Sequence, residues 1–323
     1  MSYFSAEVIE LPTPIDHPNA DSLLLFHLTV PFEVTVIGNK ESWANSTKAC
    51  YVMLDSVADT SRPEFEFLGK HNRIKAKRLR GILSQGMLIP AKDEWPIGFD
   101  AKEYYGITKY EEPEVYENGP NQKSVSGPAP VGAVRYTDIE HLRRYADVLS
   151  IGEEVIITEK IDGCTSRYCW QDNKFYMGSS RRWLEDEPRT HWHHMCDKYN
   201  IKDMLMPYQN YMIAGETAGN INRIKYNQQN FFRVFDIYNI GESKYLDYDE
   251  LVKFCNIMDL SMAPVIYRGP WQGMEAHYHL TEGKSAFRDG FLEGIVVRPV
   301  KERYDHRLGR VIMKLHSEKF LMM

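Results

Sequence analysis

The segment EKIDG places a lysine, an acid and a glycine close together, at Lys160, Asp162 and Gly163. Lys160 ends the apolar run VIITEK, which has the composition of a buried strand. A lysine in this position, taken alone, is most often a surface residue in a turn. If it faces a cavity instead, its amine can bind a phosphate or, once deprotonated, act as a nucleophile.

Four further ionisable residues lie inside or at the ends of apolar runs: Glu216 in YMIAGE, Asp236 in FRVFDIY, Glu293 in FLEGIVVRP and Lys314 in VIMKL. Carboxylates and lysines are rarely buried unless they are paired or bind a metal. One such residue would be explained by a strand end, but four strands that carry three acids and a lysine indicate one convergent site. With Lys160, this set suits a divalent cation and a triphosphate.

These residues lie in the second part of the chain, where strand-like runs alternate with helical patterns. LDYDELVKFCNIMDL has Leu251, Phe254, Cys255 and Met258 at helical spacing, which predicts an amphipathic helix. The first part holds short β-type runs such as LLLFHLTV and CYVMLD, for which a small β-barrel is the natural closure. Between them, the Pro- and Gly-containing stretch EEPEVYENGPNQKSVSGPAP predicts a linker. The predicted division is 1–115, a linker over 116–130, and 131–323.

A basic cluster lies near the end of the first part, in GKHNRIKAKRLRGILSQGMLIP. Six cations occur there with no acid among them: Lys70, Arg73, Lys75, Lys77, Arg78 and Arg80. A solvated charged loop and a contact surface for nucleic-acid phosphates are both consistent with this run.

Composition limits the protein class. The net charge is −6, so a nucleic-acid site must be a local basic patch on an acidic body. The five cysteines form no CxxC pair, which favours free thiols in a reducing compartment, the cytoplasm or the nucleus. The N-terminus has no signal-peptide pattern, and LLLFHLTV is too short to span a membrane, so no membrane association is expected.

Taken in order, the site segments resemble the motifs of the covalent nucleotidyltransferases, which comprise DNA ligases, RNA ligases and capping enzymes. EKIDG resembles motif I, GETAG motif III, VFDIY motif IIIa, LEGIVVRP motif IV and MKL motif V. SSRRW lies where the RNA ligases carry an arginine motif.

The first part narrows this resemblance. HPNADSL followed by RIKAKRLRGILSQGMLIP resembles tRNA-binding-type OB barrels, and such a barrel before a ligase domain is similar to the Naegleria-type RNA ligases. The implied fold class is α+β: an N-terminal OB-type barrel, then an ATP-grasp-like nucleotidyltransferase domain of antiparallel sheets flanked by helices. Because the chain ends just after motif V, a C-terminal OB domain is not expected, which favours an RNA ligase over a DNA ligase.

The resemblance implies roles at the catalytic centre. Lys160 would attack the α-phosphate of ATP to form lysyl-AMP. Lys314 and bound Mg²⁺ would lower the pKa of Lys160, and Lys314 would also hold that phosphate. Glu216 is expected at the ribose and Phe235 against adenine. The remaining residues assigned to ATP are Glu159, Ile161 and Arg167.

The same resemblance implies the metal and the RNA contacts. Glu293 and Asp236 are expected to hold Mg²⁺ or Mn²⁺, while Asp162 and Arg181 would act in later steps or on the strand. Motif V has His316 at its second basic position, so that residue either packs only or is replaced in function by Lys319. The implied substrate is RNA with 3′-OH and 5′-phosphate ends, in a nicked duplex, bound by a monomer.

Two alternatives remain open at this point. The first is a DNA ligase that acts on nicks. The second is an RNA-binding protein with an inactive nucleotidyltransferase fold, against which the intact set of Lys160, Glu216, Glu293 and Lys314 argues.

Overall fold

The computed structural model describes residues 4–29, 33–110, 125–136 and 138–323. These residues form two compact units. One contains the described residues up to Tyr110 together with Glu318–Met323, and the other runs from residue 125 to Ser317. Most of the predicted linker lies outside the described residues, and the division at 115 and 131 stays a prediction.

Short antiparallel strands build the N-terminal unit. Its strands are β1 (Ala6–Glu10), β2 (Ile15–Asp16), β3 (Leu23–Leu28), β4 (Val34–Asn39), β5 (Lys48–Val52), β6 (Ser56–Val57), β7 (Lys77–Leu79), β8 (Ile82–Ser84), β9 (Met87–Ile89) and β10 (Thr108–Lys109). They form two three-stranded sheets, β1-β5-β9 and β2-β3-β4, and the pairs β7–β8 and β6–β10. Two short helices, α1 (Lys40–Trp43) and α2 (Lys102–Tyr105), lie between strands.

The predicted OB barrel is not closed in the described part of this unit. Near β4, the Gln85 amide donates to the Thr35 carbonyl oxygen at 2.8 Å. At Ile37, the backbone amide donates to the Ser84 side-chain oxygen at 3.0 Å instead of to a strand carbonyl. These isolated hydrogen bonds do not make a continuous backbone ladder, so the strands form separate sheets.

Longer strands build the second unit. They are β11 (Glu140–His141), β12 (Glu154–Lys160), β13 (Cys164–Gln171), β14 (Lys174–Gly178), β15 (Trp183–Leu184), β16 (Tyr211–Ala218), β17 (Phe231–Asn239), β18 (Lys244–Tyr245), β19 (Val265–Pro270), β20 (Gly294–Pro299), β21 (Tyr304–Asp305), β22 (Gly309–Arg310) and β23 (Met313–His316). The helices are α3 (Leu142–Tyr145), α4 (His191–Lys198), α5 (Ile201–Leu205), α6 (Tyr248–Ile257) and α7 (Met274–Tyr278). The last helix, α8 (Glu318–Leu321), belongs to the N-terminal unit.

Two sheets carry the candidate site residues. A five-stranded sheet has the order β11-β23-β20-β12-β19, and a six-stranded sheet has the order β15-β14-β13-β16-β17-β18. All their pairings are antiparallel except that of β11 with β23. The unit is therefore α+β with mainly antiparallel sheets, as predicted.

Helix α6 covers one face of the six-stranded sheet. A capping box formed by Asp247 and Glu250 fixes its start. Leu251, Phe254 and Cys255 are buried on one side of the helix, as their spacing predicts, in a core shared with sheet residues.

Two further predictions concern the whole chain. The five cysteines are free thiols, as predicted. No helix in the described ranges is long and apolar enough to cross a membrane.

Candidate active site

Strand register brings Lys160 and motif V to one face of the five-stranded sheet. Lys160 on β12 lies opposite Gly294 on β20, which lies opposite His316 on β23. Lys314, two residues before His316, points to the same face because side chains alternate along a strand. A Cβ at Gly294 would come within 2.3 Å of the Leu315 carbonyl oxygen, so the close approach of β20 and β23 requires glycine here.

Glu293, just before β20, is the partner of Lys160. Its Oε1 lies 2.7 Å from Lys160 Nζ and 3.5 Å from His316 Nε2. Its second oxygen, Oε2, is buried and has no hydrogen-bond partner. A buried carboxylate oxygen without a partner is energetically unfavourable, and a hydrogen-bond donor or a cation at Oε2 would stabilise it.

Lys160 and Glu293 shift the pKa of each other strongly. Burial acts to lower the pKa of Lys160, but the Glu293 and Glu216 carboxylates raise it above its ordinary value of 10.5. Burial acts to raise the pKa of Glu293, but Lys160 and His316 lower it to about 2. Lys160 is therefore a protonated ammonium group here, and the predicted lowering of its pKa by Lys314 and bound Mg²⁺ together stays a prediction.

Glu216 joins this cluster from the six-stranded sheet. Burial raises its pKa to about 8, with Lys160 acting in the opposite direction and Glu293 and Asp162 in the same direction. Near neutral pH the carboxyl group is therefore largely protonated, so it can donate as well as accept a hydrogen bond.

Lys314 is also paired. Its ammonium group donates a short hydrogen bond to the Asp138 carboxylate, whose side chain is 45% exposed. This ion pair is accessible to water, so a phosphate that enters the site can compete with Asp138 for Lys314.

Phe235 lies on β17, where its half-buried ring contacts the Tyr136 ring edge-to-face at 5.6 Å. Arg298 donates to the Phe235 carbonyl oxygen at 3.1 Å and so fixes the backbone at this position. The two rings form an apolar surface suited to a planar base.

Asp162 is held by the segment that follows motif III. The Ile224 amide donates to Asp162 Oδ2 at 2.5 Å, and the Asp162 amide donates to the Tyr226 hydroxyl at 2.9 Å. Ile161, between Asp162 and Lys160, is buried. Motif I is therefore held by the hydrogen bonds of Asp162 as well as by the ion pair of Lys160.

Glu159 faces away from Lys160, as strand alternation requires. Its two carboxylate oxygens accept hydrogen bonds from the Ser285 hydroxyl at 2.6 Å and the Ala286 amide at 2.8 Å. Its side chain therefore positions the loop before Glu293, and only its backbone adjoins the candidate nucleophile.

Metal binding has one clear candidate ligand in this arrangement. Within 4–29, 33–110, 125–136 and 138–323, no group of three or more His, Cys, Asp or Glu side chains is arranged to hold a metal ion. The partnerless Glu293 Oε2 nevertheless suits a hard divalent cation or a water molecule bound to one. Glu293 thus fits the predicted metal role.

The comparisons with known proteins agree with this geometry. A family model described as RNA ligase matches residues 153–316, just over half of the chain, and includes every strand that carries the cluster. The chain belongs to the RNA ligase family. No curated protein sequence matches this RNA ligase family member.

Solved structures of the Naegleria gruberi RNA ligase are similar to this family member in fold. A mutant with ATP and Mn matches with a TM-score of 0.80 and 19% identity over 98% of this chain and 97% of that chain. The form with PPi matches with a TM-score of 0.80 and 20% identity over the same shares. At these identities the likeness shows a common fold, and it agrees with the predicted resemblance to Naegleria-type ligases.

Asp236 is not brought to the Lys160 cluster in this RNA ligase family member, contrary to its predicted metal role. Its Oδ1 accepts from Arg298 at 2.8 Å, and both of its oxygens accept from Arg310 at 2.6 Å. Two guanidinium groups already satisfy this buried carboxylate, which is therefore structural. The sequence signal was the same as for Glu293, an acid in an apolar run.

The two arginines predicted at the site, Arg167 and Arg181, lie in different environments. Arg167 is fully buried, donates to the carbonyl oxygens of Ser179, Val134 and Arg182, and lies 4.3 Å from the Trp183 ring centroid. Its guanidinium group therefore supports the fold. The resemblance had implied a contact with ATP instead. Arg181 is exposed, as a strand contact requires.

The six residues of the basic cluster differ in their exposure and in their partners. Arg73 pairs with Asp55 at 2.6 Å, and Arg78 pairs with Glu318 at 2.5 Å. Lys75 donates to the Met323 carbonyl oxygen at 3.0 Å. Lys70, Lys77 and Arg80 are exposed, and Arg80 has a left-handed backbone conformation. These three cations are the better candidates for phosphate contacts.

Several residues near the site had no separate sequence signal. They are Tyr136, Asp138, Tyr226, Arg233 and Phe287. One pattern was available: between Glu216 and Asp236 the chain has three cations and no acid. The contacts of these residues depend on loops that meet only in the folded unit.

Proposed function

We propose that this protein is an ATP-dependent RNA ligase that joins 3′-OH and 5′-phosphate RNA ends through lysyl-AMP and RNA-adenylate intermediates, with Lys160 as the nucleophile. The observation that carries the proposal is the 2.7 Å contact between Lys160 Nζ and Glu293, whose other oxygen is buried without a partner. Family membership supports it. Related solved structures are described with ATP and Mn, with AMP and Mn, and with PPi.

Lys160 must lose a proton before it can attack, and Glu293 controls that proton. The carboxylate keeps Lys160 charged in the free enzyme. Mg²⁺ or Mn²⁺ held by Glu293 would supply positive charge that favours the neutral amine and offsets phosphate charge. The nitrogen of Lys160 then forms a bond to the α-phosphorus, and the bond to pyrophosphate breaks.

The neighbouring residues orient the nucleotide. Lys314 exchanges Asp138 for the α-phosphate and stabilises its developing charge. Glu216, largely protonated near neutral pH, hydrogen-bonds the ribose, and Phe235 with Tyr136 holds the adenine ring. His316 contacts Glu293 at 3.5 Å and so supports this carboxylate, which is a role beyond packing.

The later steps require RNA. We assign Asp162 and Arg181 to these steps, and the N-terminal unit, as an OB-type RNA-binding domain, to contacts with the nicked duplex. Lys70, Lys75 and Lys77 are the exposed lysines of its basic cluster, and Lys75 donates to the Met323 carbonyl oxygen. A monomer suffices for this arrangement, because one chain contains both the nucleotide site and the basic cluster.

A labelling experiment tests the first step. The protein is incubated with Mg²⁺ and ATP, CTP, GTP or UTP carrying an α-phosphate label, and covalent label is measured. We expect label from ATP in the wild type, and none in Lys160→Ala or Lys160→Arg, because a guanidinium group stays protonated and is a poor nucleophile. Labelling of Lys160→Ala at the wild-type rate would show that another residue is the nucleophile.

Nick sealing distinguishes the remaining alternatives. Nicked duplexes that differ only in an RNA or a DNA 3′-OH strand are compared at equal concentration. A preference for the RNA strand supports an RNA ligase, and a preference for DNA supports a DNA ligase. An inactive RNA-binding protein would seal neither and would not take up label.

A further inference from the structure

A compact loop follows motif III and contacts the nucleophile segment directly. Residues 219–230, here called the Ω loop, contain a hydrogen bond from the Tyr226 amide to the Gly219 carbonyl oxygen at 3.0 Å. A Cβ at Gly219 would lie 2.2 Å from Asn230 Oδ1, so the two ends of the loop touch. The loop is thus ordered by its own contacts.

Three hydrogen bonds tie the Ω loop to motif I. Ile224 and Tyr226 bind the carboxylate and the amide of Asp162, at 2.5 and 2.9 Å. The Asn222 side-chain amide donates a short hydrogen bond to the Gly163 carbonyl oxygen. The loop therefore lies immediately beside the position from which Lys160 would deliver AMP.

A second segment packs against the Ω loop. Residues 284–291 are here called the Phe287 loop. In this loop Ser285 and Ala286 donate hydrogen bonds to the Glu159 carboxylate. The Phe287 ring stacks on Phe231 with centroids 4.7 Å apart and meets the edge of the Tyr226 ring at 6.0 Å. The two loops therefore form one continuous surface beside Asp162.

Arg233 connects this surface to the catalytic cluster. It pairs in register with Glu216 across β16 and β17. Its guanidinium carbon lies 5.2 Å from the Phe231 ring centroid and 5.3 Å from that of Phe287. Stacking on aromatic rings positions the guanidinium plane and leaves N–H groups at its edge for an anion.

Charge distinguishes this surface from the rest of an acidic protein. The stretch 217–235 carries Arg223, Lys225 and Arg233 with no Asp or Glu, and the Phe287 loop adds Lys284 and Arg288 against one acid, Asp289. Lys225 is exposed and donates one hydrogen bond, to the Asn220 carbonyl oxygen at 3.0 Å, so its ammonium group retains further donors.

We propose that the Ω loop and the Phe287 loop form a docking surface for the phosphates of the RNA strand whose 5′-phosphate receives AMP. Ordered cations beside the nucleophile segment suit the phosphates of a polynucleotide backbone. The surface adjoins Asp162 and Gly163, so a strand bound there has its 5′-phosphate at the lysyl-AMP. This inference rests on the proposed function and identifies a strand-binding surface within it.

The test removes two charges from the Ω loop. Arg223→Ala with Lys225→Ala is compared with Lys202→Ala with Lys253→Ala, which removes two exposed cations elsewhere in the same unit. Arg223→Lys with Lys225→Arg keeps both charges. Each purified full-length protein is converted to its lysyl-AMP form with ATP, and single-turnover AMP transfer is then measured against the concentration of 5′-phosphorylated RNA.

The Ω-loop double variant is expected to need about tenfold more RNA for half-maximal transfer. Its binding of the same RNA, measured by fluorescence anisotropy, should show a salt slope shallower by about 1.4, for two single-strand phosphate contacts. Its labelling with ATP, its thermal midpoint of unfolding and the behaviour of both other variants should match the wild type.

Two results would overturn the inference while leaving the proposed function intact. One is an RNA dependence equal to that of the Lys202 and Lys253 control. The other is a higher ATP requirement for labelling with unchanged RNA dependence, which would place the ATP phosphates on this surface. If wild-type protein took up no AMP, the proposed function itself would fail, and the anisotropy measurement would still report on the surface.

Discussion

Glu293 has two opposite effects on Lys160. Without a metal, its Oε1 at 2.7 Å stabilises the ammonium form and so suppresses nucleophilic attack. Its partnerless Oε2 is the feature that suits a divalent cation, whose charge would release the amine. The same carboxylate would thus keep the free enzyme inactive and make activation depend on the metal.

Replacement of Glu293 by Gln separates these effects. We expect labelling of Lys160 by ATP to fall at least about 100-fold, because the metal-side carboxylate is lost. The buried ion pair with Lys160 is lost as well, so the thermal midpoint should fall, and labelling is compared at a temperature at which both proteins are folded. Labelling rates are measured across a Mg²⁺ series; a variant faster than wild type would mean that Glu293 only restrains Lys160.

At the scale of elements, an ionic network ties β17 to β20 and β22. Asp236 on β17 binds Arg298 on β20 and Arg310 on β22, and Glu302 binds both arginines. These groups are buried or nearly so. Loss of one acid would leave a buried guanidinium group without its counter-charge.

Asp236→Asn is therefore expected to lower the free energy of unfolding by about 3–5 kcal/mol. Burial acts to raise the pKa of Asp236, but Arg310 and Arg298 hold it below 3.8. Its stabilisation is thus present above the unfolded pKa of about 3.9 and is lost as the pH falls through the folded value.

Denaturant unfolding between about pH 6 and 2 measures the loss of this stabilisation, which begins as the pH falls below the ordinary Asp pKa of about 3.9. The wild type should lose more stability on acidification than Asp236→Asn. Unchanged stability together with a raised Mg²⁺ requirement would instead support Asp236 as a metal ligand.

At the scale of the whole molecule, the nucleotide site lies in one unit, and RNA contacts are proposed for both units. The cluster around Lys160 lies within 125–317, and the basic cluster lies in the N-terminal unit. Within that unit, Arg73 pairs with Asp55 and lies 3.6 Å from the Tyr110 ring centroid, so it contributes mainly to structure. Lys70 and Lys77 are exposed, whereas Lys75, also exposed, donates to the Met323 carbonyl oxygen.

Lys70→Ala with Lys77→Ala is expected to weaken binding of nicked duplex RNA about tenfold and to flatten its salt slope by about 1.8. ATP labelling should stay at the wild-type rate. Lys40→Ala with Lys102→Ala is the matched control, since both lysines are paired with acids. Equal RNA affinity in the two double variants would show that the N-terminal unit does not bind RNA through this cluster.

Local patterns in the sequence were sufficient for some of these features. The strand-end lysine in EKIDG and the acids in apolar runs predicted a convergent site, because each pattern depends on neighbouring residues. The order of the motifs predicted the RNA ligase family. The spacing of Leu251, Phe254 and Cys255, together with the capping residues Asp247 and Glu250, likewise determined helix α6.

Tertiary structure decided which partner each charged residue has. Glu293 and Asp236 are both acids in apolar runs, yet one meets Lys160 and the other meets two arginines from later strands. Arg167 is buried among backbone carbonyls, and Asp162 is bound by a loop about 60 residues further along the chain. A buried charge must be compensated, but the sequence shows only that it needs a partner, and the fold determines whether that partner is a lysine, an arginine or a metal.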